Sequence, residues 1–392
     1  MEKFFKLKEK GTDVRTEMIA GITTFMTMAY ILAVNPSILG ATGMDSGAIF
    51  TATALASAIA SFCMAFLANL PFVLSAGMGL NAYFAYTVVL GMGYSWEVAL
   101  TAVFAEGIVF VLLSLTNVRE AIFNAIPQTL KYGVSVGIGL FICFIGLQNA
   151  HIAVDSSTLV TIFSFSQSVK AGTFNSEGIT VLLALIGIII TGYLVIKGVK
   201  GNILIGIFVT WILGILCQLA GIYVPNPDAG FYSLIPSGVV SMPASIAPTL
   251  FKFDFSIITE HPLDFFSVLF AFLFVDIFDT LGTLIGCASK ADMLDKDGKL
   301  PEIKGALLAD SIGTMVGACL GTSTITTFVE SSSGIAEGGR SGLTAVVSGI
   351  FFLLALFFSP IFLAIPSFAT APALVIVGFL MIQQVVKVEW ND

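Results

Sequence analysis

The stretch Gly-Thr-Ser-Thr-Ile-Thr-Thr-Phe-Val-Glu-Ser-Ser-Ser-Gly-Ile-Ala-Glu-Gly, residues 321–338, lies between long apolar runs yet is itself too polar to face lipid. Irregular, hydroxyl-rich backbone at membrane depth persists only where protein or a water-filled cavity covers it, so this stretch reads as a broken span lining a site. A second interrupted segment occurs at 71–91, where Ser75-Ala76-Gly77-Met78-Gly79-Leu80-Asn81 breaks an otherwise apolar run. Around these two, runs of ~20 apolar residues define about twelve segments: 16–38, 48–69, 71–91, 96–117, 131–150, 178–197, 202–222, 263–287, 303–320, 321–338, 341–365 and 369–386. They are called spans 1 to 12 below.

The two broken spans occupy matching places, each third in a run that begins near residue 16 or near residue 263. The second run follows a long outer loop, 223–262, carrying Pro225, Pro227, Pro236 and Pro243. Seven spans precede that loop, and an odd number per repeat turns the second repeat upside down. Paired Gly-interrupted spans at corresponding positions point to an inverted repeat with its site at the midplane between them. The plainer alternative is that the glycines only let helices pack closely.

Charge placement tests the map independently. With the N-terminus inside, only Lys170 and Lys252 of the 17 lysines and arginines fall outside. The rest, Arg119 between spans 4 and 5 among them, lie on the inner side, as the positive-inside rule requires. The chain is therefore expected to be a multi-pass protein of the cytoplasmic membrane, with both termini cytoplasmic and the lipid bilayer as its surroundings.

Composition agrees. Hydrophobic residues make up 57% and charged residues 11%, against ~25% charged in soluble domains. Cys63, Cys143, Cys217, Cys287 and Cys319 all fall in apolar runs and read as small hydrophobes, with no CxxC metal pair. His151 and His261 lie in loops, leaving neither a histidine relay nor a metal cluster at depth. The first apolar run is too long for a signal h-region and is expected to stay as span 1. The net charge of −8 says little about partners, since part of the acidic excess lies in the spans and outer loops. A pump would need a Walker loop, and no GxxxxGK[ST] occurs. An intramembrane enzyme would need a nucleophile with its base or a metal site, so no enzyme, cofactor or nucleic-acid partner is expected.

Four carboxylates, Asp276, Asp279, Asp310 and Glu330, sit within these spans without a lysine or arginine placed to neutralise them. An ionised carboxylate at the bilayer centre costs at least ~2.5–3.5 kcal/mol, so such groups face a bundle interior and mark a substrate or ion path. Asp276 and Asp279 are three apart on a helix and share a face. Both ionised, they would repel, so at least one is expected to hold a proton at rest. Thr280 and Thr283 could satisfy Asp279 structurally. Glu330 could cap the half-helix that follows it, and Asp310 could simply bond Ser or Thr. Amides at half-helix ends could donate to a carbonyl of a substrate. Asn81 offers both donor and acceptor, while the role of Glu106 in span 4 is not legible. Phe84 and Phe328 could stack on a flat ring, although packing is the commoner fate among 35 phenylalanines.

Five stretches carry a resemblance: Gly-Ile-Thr-Thr-Phe-Met-Thr-Met-Ala-Tyr (21–30), Ser-Ala-Gly-Met-Gly-Leu-Asn-Ala-Tyr-Phe (75–84), Phe-Val-Asp-Ile-Phe-Asp-Thr-Leu-Gly-Thr (274–283), Ala-Asp-Ser-Ile-Gly (309–313) and Thr-Thr-Phe-Val-Glu-Ser-Ser-Ser-Gly-Ile (326–335). In this order they resemble the nucleobase:cation symporters, in their AzgA-like hypoxanthine/guanine/adenine permease branch, over essentially the whole chain. The resemblance implies an all-α polytopic membrane protein with a seven-plus-seven inverted-repeat fold, in which a core domain moves against a gate domain. It divides the chain into a cytoplasmic N-terminal segment (1–15), first core half (16–117), first gate half (118–262), second core half (263–365) and the start of the second gate half (366–392). The family would carry two further gate spans where this sequence stops at Asp392.

The resemblance also assigns roles. Asp276 matches the span-8 acid that bonds the ring nitrogens of the base, and Glu330 the span-10 acid. Asp310 resembles the span-9 acid that stabilises the site from behind. Beyond the resemblance, Gly79, Asn81 and Ser331 are expected to complete the substrate set, and Asp279 or Asp310 to carry or relay the coupling proton. An acid at Glu330, where xanthine carriers tend to have an amide, favours hypoxanthine, guanine or adenine. The implied function is import of a small purine base by proton symport and alternating access, the proton being the coupling ion, with a homodimer formed through the gate domain. The alternative is an anion transporter or channel on the same fold, against which the acids Asp276 and Glu330 weigh. A binding-only receptor would be distinguished by ligand binding without uptake.

Overall fold

The computed structural model describes residues 2–116, 127–156, 159–227, 230–296 and 299–388. Arg119 and Asp392, both used above, lie outside the described residues. Among the described residues ten helices are long and apolar enough to cross a bilayer: Val14–Gly40, Ser46–Leu67, Trp96–Leu115, Tyr132–Asn149, Phe174–Ile196, Asn202–Leu219, Pro262–Lys290, Ile303–Leu320, Gly342–Leu363 and Ser367–Val386. They coincide with ten of the twelve apolar runs. The other two runs are the broken spans 3 and 10.

Short strands interrupt this helical chain: β1 (Leu74–Ala76), β2 (Ala153–Ser156), β3 (Leu159–Ile162) and β4 (Ile325–Thr327). β2 and β3 pair as a hairpin between spans 5 and 6, a feature hydropathy does not reveal. β1 and β4 are the opening residues of the two broken spans and pair antiparallel with each other, Leu74 opposite Thr327, Ser75 opposite Thr326 and Ala76 opposite Ile325. Two bonds extend the ladder, from Phe328 N to Val73 O (3.0 Å) and from Gly77 N to Thr324 O (3.1 Å). Extended backbone cannot satisfy itself inside a membrane, so each broken span supplies the other's partners. Past the strands the chain turns into half-helices, Met78–Ala82 running on into the wider π-helical turns of Tyr83–Gly91, and Ser331–Ala336.

The helices form two packed groups. Span 11 lies on spans 1 and 2, and span 9 on spans 2 and 4, around the strand pair. Span 12 packs on spans 5, 6 and 7. Spans 12 and 5 approach until a Cβ on Gly378 would stand 2.5 Å from Gly139 O, so only glycine fits there. Span 1 is two helices, Val14–Met28 and Ile31–Gly40. At the break the backbone tightens, Leu32 N bonding Ala29 O at 3.1 Å, and Pro36 removes a further amide one turn on.

The sequence reading missed Glu17, a fully buried carboxylate in span 1. Its Oε1 accepts from Arg340 N (2.8 Å), and its Oε2 from Thr344 N (3.1 Å) and Thr344 Oγ1 (2.7 Å). It therefore satisfies the open amides at the start of span 11 and pins the two repeats together at one end.

Candidate functional site

The hydroxyls of the 321–338 stretch are distributed among the surrounding spans. Thr322 Oγ1 accepts from Asn35 Nδ2 of span 1 at 2.9 Å, and Ser323 donates to Asn81 Oδ1 in span 3. Thr324 Oγ1 donates to Glu106 Oε2 of span 4 at 2.7 Å, and Thr326 Oγ1 lies 2.8 Å from Thr280 Oγ1 of span 8. This explains both the composition of the stretch and the placement of Glu106. Threonine and serine suit an extended segment whose side chains reach polar partners in a dry core; Thr327 Oγ1 is the exception, buried with no partner among the described residues.

Beside the strand pair opens a cavity of about 710 Å³, a volume suited to a small organic ligand. Its polar floor is made by Asp279 and Glu330, its backbone wall by Gly77 and Gly79, and Phe278 and Phe328 supply flat apolar faces. The opposite wall comes from the second helical group, including Tyr132, Ile203 and Gln384. Glu330 does not cap its half-helix: Oε1 accepts the Tyr30 hydroxyl at 2.6 Å. No hydrogen-bond donor among the described residues reaches the Asp279 carboxyl. Neither Asp279 nor Glu330 pairs with a lysine or arginine among the described residues.

The remaining expected site residues lie behind this surface. Asp276 and Asp310 are fully buried, and Thr280 Oγ1 stands 2.8 Å from Asp276 Oδ1 and 2.9 Å from Asp310 Oδ1. Asn81 is fully buried and spends its carbonyl on Ser323. Ser331 Oγ accepts from Val73 N at 3.0 Å, so it ties the two broken spans together rather than facing the cavity. Phe84 is buried in packing, whereas Phe328 reaches the cavity, 6.5 Å from the Tyr30 ring. Asp276 and Asp279 share a helix, but the intervening rotation leaves Asp279 toward the cavity and Asp276 toward span 9. Thr280, expected as a partner of Asp279, instead contacts Asp276 and Asp310, and Tyr30, which closes the 21–30 stretch, was not legible as a site residue. For Thr280 the signal was a hydroxyl beside two acids of the 274–283 stretch; Tyr30 lies in a stretch with no acid and carried no such signal.

Two broken spans meeting at a cavity, between a group that carries the acids and a second group that walls it, define a multi-pass membrane transporter with a core and a gate. Residues 15–392 match the family described as "Permease family", and the chain belongs to it. This is the nucleobase:cation symporter family that its motifs resemble, and its members are transporters, not enzymes. The chain is 46% identical over 406 residues to the guanine/hypoxanthine permease PbuG of Bacillus subtilis (strain 168), covering 100% of this chain and 86% of that one. It is 42% identical over 393 residues to the adenine permease AdeP of Escherichia coli (strain K12), covering 100% and 82%. Among solved structures, the transmembrane domain of a cyanobacterium bicarbonate transporter BicA shares the fold, with a TM-score of 0.69 at 16% identity over 96% of this chain and 90% of that one.

Proposed function

We propose that this protein imports purine nucleobases, hypoxanthine and guanine foremost and adenine also, by proton symport. The observation that carries the reading is the pair of cavity-facing carboxylates, Asp279 and Glu330, set beside aromatic faces and the glycine backbone of Gly77 and Gly79, which leaves room for a ligand. A purine presents ring N–H and amino donors along its edge, which carboxylates accept, and a flat face that phenylalanine covers. Similarity to permeases named for guanine, hypoxanthine and adenine supports the same substrate class. Proton coupling is supported by four carboxylates at membrane depth, where taking up a proton is the economical way to remain buried.

On the positive-inside map both termini are cytoplasmic. Tyr132, Ile203 and Gln384 then mark the inner ends of gate spans, and the cavity they line opens inward. Alternating access would carry Asp279 and Glu330 past this wall to the outer side. An anion carrier is disfavoured by the same two acids, which would repel its substrate.

Uptake of radiolabelled hypoxanthine in cells lacking their own purine carriers tests the reading, with and without a protonophore and with unlabelled competitors. Uptake that collapses with the proton gradient and is blocked by guanine supports it. Uptake indifferent to the gradient removes the symport, and no purine uptake by protein shown to reach the membrane removes the substrate class.

A further inference from the structure

We propose that Thr280 is a proton bridge through which Asp276 and Asp310 share one proton, behind the cavity wall that Thr326 helps to form. This rests on the proton-coupled reading above and deepens it. The Thr280 oxygen has three oxygen neighbours at hydrogen-bond distance: Asp276 Oδ1 at 2.8 Å, Asp310 Oδ1 at 2.9 Å and Thr326 Oγ1 at 2.8 Å. A hydroxyl can donate once and accept twice. If Thr326 donates to Thr280, then Thr280 donates to one aspartate and must accept from the other. That second aspartate can donate only if it carries a proton. If instead Thr280 donates to Thr326, both aspartates must be protonated. Either arrangement places at least one carboxyl proton in the cluster.

Burial points the same way. Asp276, Asp310 and Thr280 are fully buried and Thr326 is 1% exposed, so two ionised carboxylates around one hydroxyl would have no water to screen them. Asp279, Glu330 and Glu106, which lie near this cluster, are acids as well. The geometry permits a balanced exchange. Asp310 passes its carboxyl proton to Thr280 Oγ1 as Thr280 passes its own to Asp276 Oδ1. One O–H bond breaks on Asp310, one forms on Asp276, Thr280 is restored, and the pair keeps its net charge. Span 8 carries both Asp276 and the cavity-facing Asp279, so the exchange moves a proton between spans 9 and 8 without passing through the cavity. Thr280 touches no substrate in this scheme; it is a positioning residue that acts through the two aspartates.

The test combines transport with infrared spectroscopy of the purified protein. Thr280→Val, nearly the same shape without the hydroxyl, should bind labelled hypoxanthine with the wild-type Kd yet lose proton-driven accumulation at least about tenfold. Thr280→Ser should recover most of that loss. Independently, wild-type protein at neutral pH should show a protonated-carboxyl C=O band that is altered by Asp310→Asn and shifted by Thr280→Val. A valine variant that accumulates substrate like wild type, or a wild-type spectrum lacking a band sensitive to Asp310→Asn, overturns the bridge. If the valine variant does not fold, the comparison of wild type with Asp310→Asn decides alone. Failure of wild type to bind purine would instead remove the substrate reading, while the infrared result still decides the bridge.

Discussion

Tyr30 donates its phenolic proton to Glu330 Oε1 across 2.6 Å, joining the break in span 1 to the break in span 10. The bond orients one of the two acids that face the cavity, and it spans the two inverted halves of the chain. Hydrogen bonds to charged groups contribute ~1.5–3 kcal/mol. Tyr30→Phe should therefore raise the KM for purine uptake about tenfold or more while leaving the protein in the membrane. Glu330→Ala should abolish uptake. Unchanged KM in the first variant, or wild-type uptake by the second, would refute these roles.

The two span-8 acids should separate functionally. Asp279 faces the cavity and Asp276 faces Thr280 behind it, so Asp279→Asn should weaken equilibrium purine binding. Asp276→Asn should bind substrate yet fail to accumulate it. Binding to purified protein set against uptake in cells distinguishes the pair, and the reverse pattern would make Asp276 the base-contacting acid.

Gly79 sets the clearance between the group that carries the acids and span 5 of the second group. A Cβ there would stand 2.7 Å from Ile138 Cγ2 of span 5, closer than carbon atoms tolerate. Gly79→Val should block transport with little effect on membrane abundance, and adding Ile138→Ala should restore part of it. No recovery in the double variant would mean that Gly79 acts by other means than clearance.

Glu17 makes a stability prediction without a transport role. Removing it leaves the amides of Arg340 and Thr344 without their buried acceptor, at a cost of ~1–3 kcal/mol per unsatisfied group. Glu17→Ala should lower the melting temperature in detergent while surviving protein keeps its wild-type Kd. An unchanged melting temperature would show that water or another group takes over the cap.

Lys200, in the connection between spans 6 and 7, pairs with Glu337 after the second half-helix, so one ion pair links gate to core. Its side chains are 65% and 23% exposed, and such pairs contribute ~0–1 kcal/mol. Glu337→Gln should alter the balance of inward and outward states by no more than about fivefold, read by cysteine accessibility. A complete loss of transport would mean that Glu337 does more than hold a latch.

Much of this architecture is legible in the sequence because lipid enforces simple rules. Apolar run length located ten helices, and the Gly-rich and Thr/Ser-rich runs marked the two places where helices fail. The acids that define the site were visible as charges where charge is costly. What hydropathy could not supply was direction. Asp276 and Asp279 sit three apart and read as one face, yet their different neighbours send one to Thr280 and leave the other at the cavity. Asn81 and Ser331 look like ligand donors in isolation, but each is engaged by a residue far away in sequence, Ser323 and Val73 respectively. The β1–β4 ladder was hidden because three-residue strands leave no periodicity to detect, and Glu17 because nothing in its own span shows which amides it meets.

The β1–β4 pairing also dictates an order of assembly. Residues 74–76 leave the ribosome about 250 residues before 325–327, an interval of tens of seconds at ~5–20 residues per second. During that time the first broken span has its backbone in the bilayer with no partner for its strand. The N-terminal half cannot close on its own and must be sheltered by the insertion machinery until its mirror half arrives. Expressed alone it should be a substrate for membrane quality control, and co-expression with the second half should rescue it.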